Sequence, residues 1–140
     1  MIYNAGLLRC LNAAAGESGG LFIDDAYLLA IGNSMEETHG TLKSIMERPE
    51  GVFEWAEAHN CEFGVDKFQL IDFTRRREPD PTHIGKTQSL SRPDITLRGR
   101  PIPSREHTIF LGVAIDKELR WKAQGARAIA KGQAWAAQIQ

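Results

Sequence analysis

Cysteine is scarce in this sequence, and long apolar runs are absent. The two cysteines, Cys10 and Cys61, cannot form a disulfide scaffold, so they are expected to be reduced thiols. One disulfide between them is the alternative. No apolar run reaches the roughly 18 residues of a membrane-spanning helix, and the N-terminus lacks the charged and apolar segments of a signal peptide. These absences predict an intracellular protein, nuclear or cytoplasmic, with no membrane partner.

Net charge is nearly absent as well. The chain has 17 lysines and arginines against 18 aspartates and glutamates, so its formal net charge is −1. This balance argues against a protein that binds nucleic acid through its overall positive charge alone, although it is compatible with a local basic patch. A hydrophobic content of 42% argues against disorder throughout, and 140 residues predict one domain or a piece of one.

The first part of the chain combines short apolar runs with small residues. Residues 1–11 fit a short helix, and the Gly-rich residues 12–20 fit a flexible loop. Apolar runs at 21–23 and 27–31 surround two aspartates, Asp24 and Asp25. This pattern predicts an antiparallel hairpin over 21–31 with both aspartates at or beside its turn.

The middle of the chain begins with a capping signal. Ser34 and Glu37 have the spacing of a capping box and predict the start of an amphipathic helix, which Pro49 should end or kink. Residues 68–73 have the composition of a strand. Residues 74–94 are rich in Arg, Pro, Ser and Thr and are interpreted as a linker or an exposed loop.

The last part predicts a hairpin over 95–102, one long strand over 108–115 and an Ala-rich helix over 119–139, with Asp116 as its cap. The fold class expected from this order of elements is α+β, with an antiparallel sheet covered by helices.

The adjacent carboxylates of Asp24 and Asp25 are the most informative feature of the sequence. Neighbouring residues of a strand point to opposite faces, so only a turn can direct both carboxylates at one site. Such a pair suits a hard cation, and Mg²⁺ prefers carboxylate oxygen. The alternative is an ordinary polar hairpin turn, because aspartate also favours turns for local reasons.

Four ordered segments resemble the palm of a reverse transcriptase of the non-LTR retrotransposon type found in fungal genomes. Residues 22–25 (Phe-Ile-Asp-Asp), residues 67–76 (Lys-Phe-Gln-Leu-Ile-Asp-Phe-Thr-Arg-Arg) and residues 110–116 (Phe-Leu-Gly-Val-Ala-Ile-Asp) carry the resemblance, together with residues 3–8. The family more often has an aspartate where Gly6 stands. The resemblance runs from residue 2 to about residue 122.

The resemblance implies an RNA-directed DNA polymerase that transfers nucleotides with two Mg²⁺ ions, using an RNA template and a DNA primer. It makes Asp24 and Asp25 catalytic metal ligands and places Lys67 beside the phosphates of the incoming nucleotide. It also divides the chain into the C-terminal half of a palm (1–74), a linker (75–94), and the end of the palm with the start of a thumb helix (95–140).

Two further segments could bind nucleic acid, although each also has a purely structural explanation. Arg75, Arg76 and Arg77 form a basic run that could bind phosphates. An exposed linker start is the favoured explanation, because acidic neighbours offset the charge of the run. Leu111 and Gly112 resemble the primer grip, where glycine allows a close approach to the primer terminus. The alternative is a glycine at a bulge in a core strand.

The family's polymerase needs a further catalytic aspartate, fingers and a nucleotide pocket, which the resemblance places upstream of residue 1. The chain is therefore expected to be inactive alone, with Mg²⁺ binding that is weak or absent. The alternative function is a non-catalytic protein derived from a retrotransposon fragment, which binds a protein or a nucleic acid or associates with itself. A small hydrolase is disfavoured, because no base or nucleophile accompanies the aspartates.

Overall fold

A computed structural model describes residues 3–23 and 25–139. Within this part of the chain, three α-helices accompany four separate antiparallel hairpins, so the α+β class expected from the sequence is confirmed. The helices are α1 (Met35–Glu47), α2 (Val52–Ala58) and α3 (Lys122–Ile139). The strands are β1 (Glu17–Phe22), β2 (Asp25–Ala30), β3 (Arg77–Pro79), β4 (Thr87–Ser89), β5 (Ile95–Leu97), β6 (Arg100–Ile102), β7 (His107–Phe110) and β8 (Val113–Asp116).

The chain forms two compact units that alternate along the sequence. Unit 1 contains Met1–Phe68 and Pro93–Pro103, and unit 2 contains Gln69–Arg92 and Ser104–Gln140. The division into 1–74, 75–94 and 95–140 stays a prediction about domain organisation. Among the described residues, no helix is long and apolar enough to cross a bilayer.

The N-terminal segment of unit 1 is helical in the 3₁₀ form over Tyr3–Cys10, where the sequence predicted a short helix. The predicted loop over 12–20 is wrong at its end, because β1 begins at Glu17. Glycine is used there for close packing rather than for flexibility. A Cβ at residue 20 would lie 2.6–2.7 Å from the ring of Tyr27 on the neighbouring strand.

Strands β1 and β2 form the predicted hairpin. Their register runs from Glu17 opposite Ala30 to Phe22 opposite Asp25, so the connection is short. The prediction is confirmed for the described residues. Asp24 lies outside them.

Helix α1 begins where the sequence predicted. The backbone N–H of Glu37 donates to Ser34 Oγ at 3.1 Å, and Glu37 Oε2 accepts from the N–H of Asn33 at 2.7 Å. The capping box therefore forms with its return bond one residue earlier than usual. Pro49 follows the end of α1, and α2 begins after Gly51.

The core of unit 1 lies between α1, α2 and the β5–β6 hairpin. Its buried apolar side chains include Ile45, Met46, Val52, Phe53, Ala56, Ile95, Leu97 and Ile102. Arg98, in the turn of that hairpin, fastens it to both helices. Its N–H donates to Glu47 Oε1 at 2.7 Å, its guanidinium pairs with Glu57 at 2.5 Å, and its Cζ lies 4.0 Å from the centroid of the Phe53 ring.

A bidentate ion pair joins the start of β1 to the residue after α1. Glu17 is only 4% exposed, and its two oxygens accept from Arg48 at 2.5 and 2.7 Å. Glu17 also accepts from the N–H of Asn12 at 2.7 Å, and Arg48 donates to the carbonyl of Cys10 at 2.5 Å. The hydrogen bonds from Arg48 lower the pKa of Glu17, despite the opposing effect of burial.

Unit 2 departs from the predictions more than unit 1 does. Residues 68–73 do not form a strand, because the only pairing found among the described residues there is an isolated parallel bridge between Leu70 and Ser104. The segment interpreted as a linker contains the β3–β4 hairpin. The predicted long strand over 108–115 is instead the β7–β8 hairpin, since Leu111 and Gly112 both adopt positive φ (49° and 81°) and reverse the chain.

Helix α3 packs on β8 only at its start. The N–H of Ala114 donates to Gln124 Oε1 at 2.9 Å, and Ala123, Gln124 and Arg127 are half-buried. Asp116 accepts from the N–H groups of Glu118 and Arg120 at 3.0–3.1 Å, so it caps the turn before α3. Every residue from 128 to 138 is exposed.

The Glu17–Arg48 pair predicts a specific pH dependence of stability. Because the pKa of Glu17 is lower in the folded chain, its stabilising effect is full above the unfolded-state pKa of about 4.3 and is lost as the pH falls through the folded-state pKa. Glu17→Gln should lower the free energy of unfolding at pH 7 by about 2 kcal/mol. That is below the 3–5 kcal/mol typical of fully buried pairs, because Arg48 retains contact with solvent.

Urea denaturation at pH 7 and at pH 3 measures both effects. The free energy of unfolding should differ less between the two pH values in the variant than in the parent chain. Glu62→Gln, at an exposed position, is the matched control and should behave as the parent chain. An unchanged pH dependence in Glu17→Gln would contradict the assignment.

Candidate functional site

The β1–β2 hairpin has two different faces because side chains alternate along each strand. The inner face carries the buried Glu17 and the half-buried Leu21 and Leu28. The outer face carries Phe22, Asp25, Tyr27 and Leu29, and all four are exposed. The hairpin therefore presents an acidic residue at one end of an exposed apolar surface.

Asp25 is the first residue of β2 and lies opposite Phe22. Its side chain is exposed, and it takes part in no hydrogen bond or ion pair with the described residues. A carboxylate with its oxygens unoccupied by protein donors is available to a cation or to a basic group.

Ile23 occupies a strained position in the turn. Its φ is +56°, in the left-handed region that β-branched residues strongly avoid, and its side chain is 57% exposed. Two-residue hairpin turns usually use Asn, Asp or Gly at such positions. The hairpin thus displays an apolar side chain at its tip at a cost in stability.

A metal centre needs several ligands close together. Among the described residues, no group of three or more His, Cys, Asp or Glu side chains could hold a metal ion. Asp25 offers the ligand type that Mg²⁺ prefers, but the described residues do not by themselves make a metal centre. The predicted second ligand, Asp24, lies outside the described residues.

Lys67 ends a 3₁₀ turn, Val65–Lys67, rather than beginning a strand. Its side chain is exposed, and its backbone N–H donates to the carbonyl of Gly64 at 2.8 Å. Lys67 and Asp25 both belong to unit 1, and no hydrogen bond or ion pair links them in the described part of the chain. The two residues are therefore not in direct contact, and the placement of Lys67 beside the nucleotide phosphates stays a prediction.

The basic run Arg75–Arg77 is exposed, and two of its members are held by the rest of unit 2. Arg75 donates to the carbonyls of Glu118 and Leu119 at 2.8 and 3.1 Å. Arg77 donates to the hydroxyl and the carbonyl of Thr87 at 2.9 and 2.6 Å. Carbonyl and hydroxyl acceptors do not neutralise a guanidinium, so these two residues keep their charge in fixed positions.

The segment Leu111–Gly112 forms the tip of the β7–β8 hairpin. A Cβ at residue 112 would meet no atom within 4 Å, so the backbone there is open to an approaching ligand. The bulge in a core strand is wrong, because these residues form a hairpin turn, and the close approach of a primer to this backbone stays a prediction.

Gly6 lies against the ring of Trp55, where a larger residue would not fit. A Cβ at residue 6 would lie 2.8 Å from Nε1 of Trp55, whose ring stacks on His59 with centroids 4.4 Å apart. A larger side chain at position 6 would displace Trp55. No local pattern indicates this contact, because the two residues are 49 positions apart along the chain.

The strained turn predicts a stabilising substitution. Asparagine tolerates positive φ better than isoleucine, and the left-handed conformation costs a residue with an ordinary side chain about 1–2 kcal/mol. Ile23→Asn should therefore raise the free energy of unfolding by about 1 kcal/mol, measured by urea denaturation.

The matched control is Ile31→Asn. Ile31 is 74% exposed and has no positive φ, so this variant removes an exposed apolar side chain without relieving strain. It should show no gain in stability. Equal stabilisation by both variants would rule out strain at residue 23 as the cause.

The candidate site in unit 1 is the exposed, strained hairpin tip that carries Asp25. Arg75–Arg77 and the open turn Leu111–Gly112 belong to unit 2 and are separate features of that unit. Lys67 is exposed elsewhere in unit 1. No protein-family model matches the chain, and no curated protein or solved structure matches it at a significant level.

Proposed function

We propose that the chain is the C-terminal part of a reverse-transcriptase palm with the start of a thumb, from a non-LTR retrotransposon of fungal type. The observation that carries this proposal is the tight β1–β2 hairpin, which exposes Asp25 next to its turn at one end of an apolar face. A polymerase palm needs carboxylates in such a position, because they must reach metal ions that lie between the protein and the nucleic acid.

In this proposal the intact polymerase transfers nucleotides to a DNA primer on an RNA template. Asp24 and Asp25 supply two carboxylates to the metal site, and a palm segment outside these 140 residues supplies the rest. When bound, Mg²⁺ would neutralise charge on the reacting phosphate. Asp25 is suited to this role by its exposure and by its lack of protein donors among the described residues.

The other predicted residues would act as accessories. Lys67 would approach the nucleotide phosphates, for which its exposed ammonium is available. Arg75, Arg76 and Arg77 would contact phosphates of the template or primer, and the open backbone at Leu111 and Gly112 would lie close to the primer. Phosphate contacts of this kind position a nucleic acid without reading its sequence.

A second candidate function is a non-catalytic protein that acts by binding. The observation that favours it is the amount of apolar side chain left exposed, which includes Phe22, Ile23, Ile109, Leu111 and Trp135. The first two belong to unit 1 and the other three to unit 2, and exposed apolar surface on a folded unit is typical of a protein-binding site.

The proposal predicts that the 140-residue chain alone does not extend a primer with Mg²⁺ or Mn²⁺. Catalysis of phosphoryl transfer comes from positioning and from electrostatic stabilisation, and in this proposal Asp24 and Asp25 supply only part of the ligand set that two metal ions require. A primer-extension assay on the purified chain measures this. The double variant Asp24→Ala, Asp25→Ala is the control. Extension by the parent that disappears in this variant would show that the chain is a complete catalyst.

The palm assignment itself is tested by a chimera. Residues 1–122 would replace the corresponding palm segment of an active reverse transcriptase of the non-LTR type. The chimera should extend a primer, and Asp25→Ala should reduce its rate by at least 1,000-fold, because a metal ligand is lost. Glu62→Ala, at an exposed acidic position of the same unit, should leave the rate unchanged.

Folding of the chimera is checked by thermal melting and by binding to a template–primer duplex. A chimera that melts cooperatively, binds the duplex and does not extend the primer would overturn the assignment. The same result would leave the binding function as the surviving proposal.

A further inference from the structure

Helix α3 has one apolar side that nothing in the described chain covers. By the 3.6-residue period, Gly125, Ala128, Ile129, Gly132, Trp135 and Ala136 lie on the same side of the helix. All six are exposed, and Ile129 and Trp135 are 63% and 71% exposed. Ala123 and Arg127, both half-buried, lie on the opposite side of the helix. Gln124 lies at the edge of the apolar side, one turn before Ala128, and it contacts β8, so the apolar side is exposed from residue 125 onward.

Charge is distributed very unevenly along the sequence. All 18 acidic residues precede residue 119, whereas Arg120, Lys122, Arg127 and Lys131 are the charged residues that follow. Lys122 and Lys131 flank the apolar side of α3, are exposed, and form no ion pair with the described residues. A surface that fits α3 should therefore be apolar in its middle and acidic at its edge.

The outer face of the β1–β2 hairpin has these properties. Phe22, Tyr27 and Leu29 expose 54%, 42% and 39% of their surface, and Asp25 shares their face. The dimensions also agree, because an 18-residue helix is about 27 Å long and a six-residue strand is about 20 Å long. A helix packed on one face of a sheet is a standard layer of protein structure.

We propose that α3 of one copy docks on the outer face of the β1–β2 hairpin of a second copy, and that the second copy returns the contact. Each chain carries both surfaces, and a contact between two unlike surfaces closes into a dimer when the second copy returns it. This proposal is independent of the polymerase proposal. Its consequence for that site is that the dimer covers Asp25, which lies on the docked face, so self-association and access of a nucleic acid to this face exclude each other.

The test uses two single variants of the 140-residue chain. Tyr27→Ser removes an apolar side chain from the hairpin face, and Trp135→Ser removes one from α3. In sedimentation velocity the parent should form dimers, and each variant alone should associate at least tenfold more weakly. Ile84→Ser is the matched control, because Ile84 is fully exposed in the β3–β4 turn, and it should associate like the parent.

Mixing the two variants provides the decisive result. The intact α3 of Tyr27→Ser can dock on the intact hairpin of Trp135→Ser, so an equimolar mixture should recover heterodimers through one undamaged contact. Circular dichroism establishes that both variants are folded. A parent chain that stays monomeric, or folded variants whose mixture shows no recovery, would overturn the proposal. Association of the parent with single-stranded RNA or with phosphatidylserine vesicles, without self-association, would also overturn it.

Discussion

The position of the acidic hairpin depends on the ion pair between Glu17 and Arg48. A two-stranded hairpin is marginal by itself in water, so it needs support from other elements. The pair fastens the first residue of β1 to the end of α1, and Arg48 also holds the N-terminal 3₁₀ helix through the carbonyl of Cys10. Since Glu17 is buried and both its oxygens are bonded, separating the pair would leave a charge without a partner in the interior.

Local signals in the sequence were sufficient to predict several secondary-structure elements of unit 1. Ser34 and Glu37 identify the start of α1, and the apolar runs around residues 24 and 25 identify the hairpin, because these signals act over a few residues. Glu17 was missed, since its partner lies 31 positions away and a glutamate in a Gly-rich stretch resembles a loop residue. The interaction that supports the hairpin is therefore tertiary, whereas the hairpin itself is local.

The same distinction between local and tertiary interactions explains which parts of the candidate site could be predicted from the sequence. The exposure of Asp25 follows from its place beside a turn, which the sequence indicates. The turn at Leu111–Gly112 was missed because an apolar run that reverses direction resembles a long strand, and a leucine at positive φ is an unusual turn residue. Lys67 was assigned to a strand because residues 68–73 alternate, yet the chain provides no neighbouring strand beyond the Leu70–Ser104 bridge in the described part. The palm identity remains a proposal that rests on residue types and their order.

The alternation of the two units along the chain has a consequence for synthesis. Residues 93–103 complete the core of unit 1, and they contribute Ile95, Leu97 and Ile102 as well as the Arg98 clamp. A ribosome adds about 5–20 residues per second, so several seconds separate the emergence of residue 68 from that of residue 103. During that interval α1 and α2 have no hairpin to cover them. The nascent chain therefore exposes Phe53 and its neighbours until the β5–β6 hairpin leaves the ribosome, which makes this the period when chaperones would be needed most.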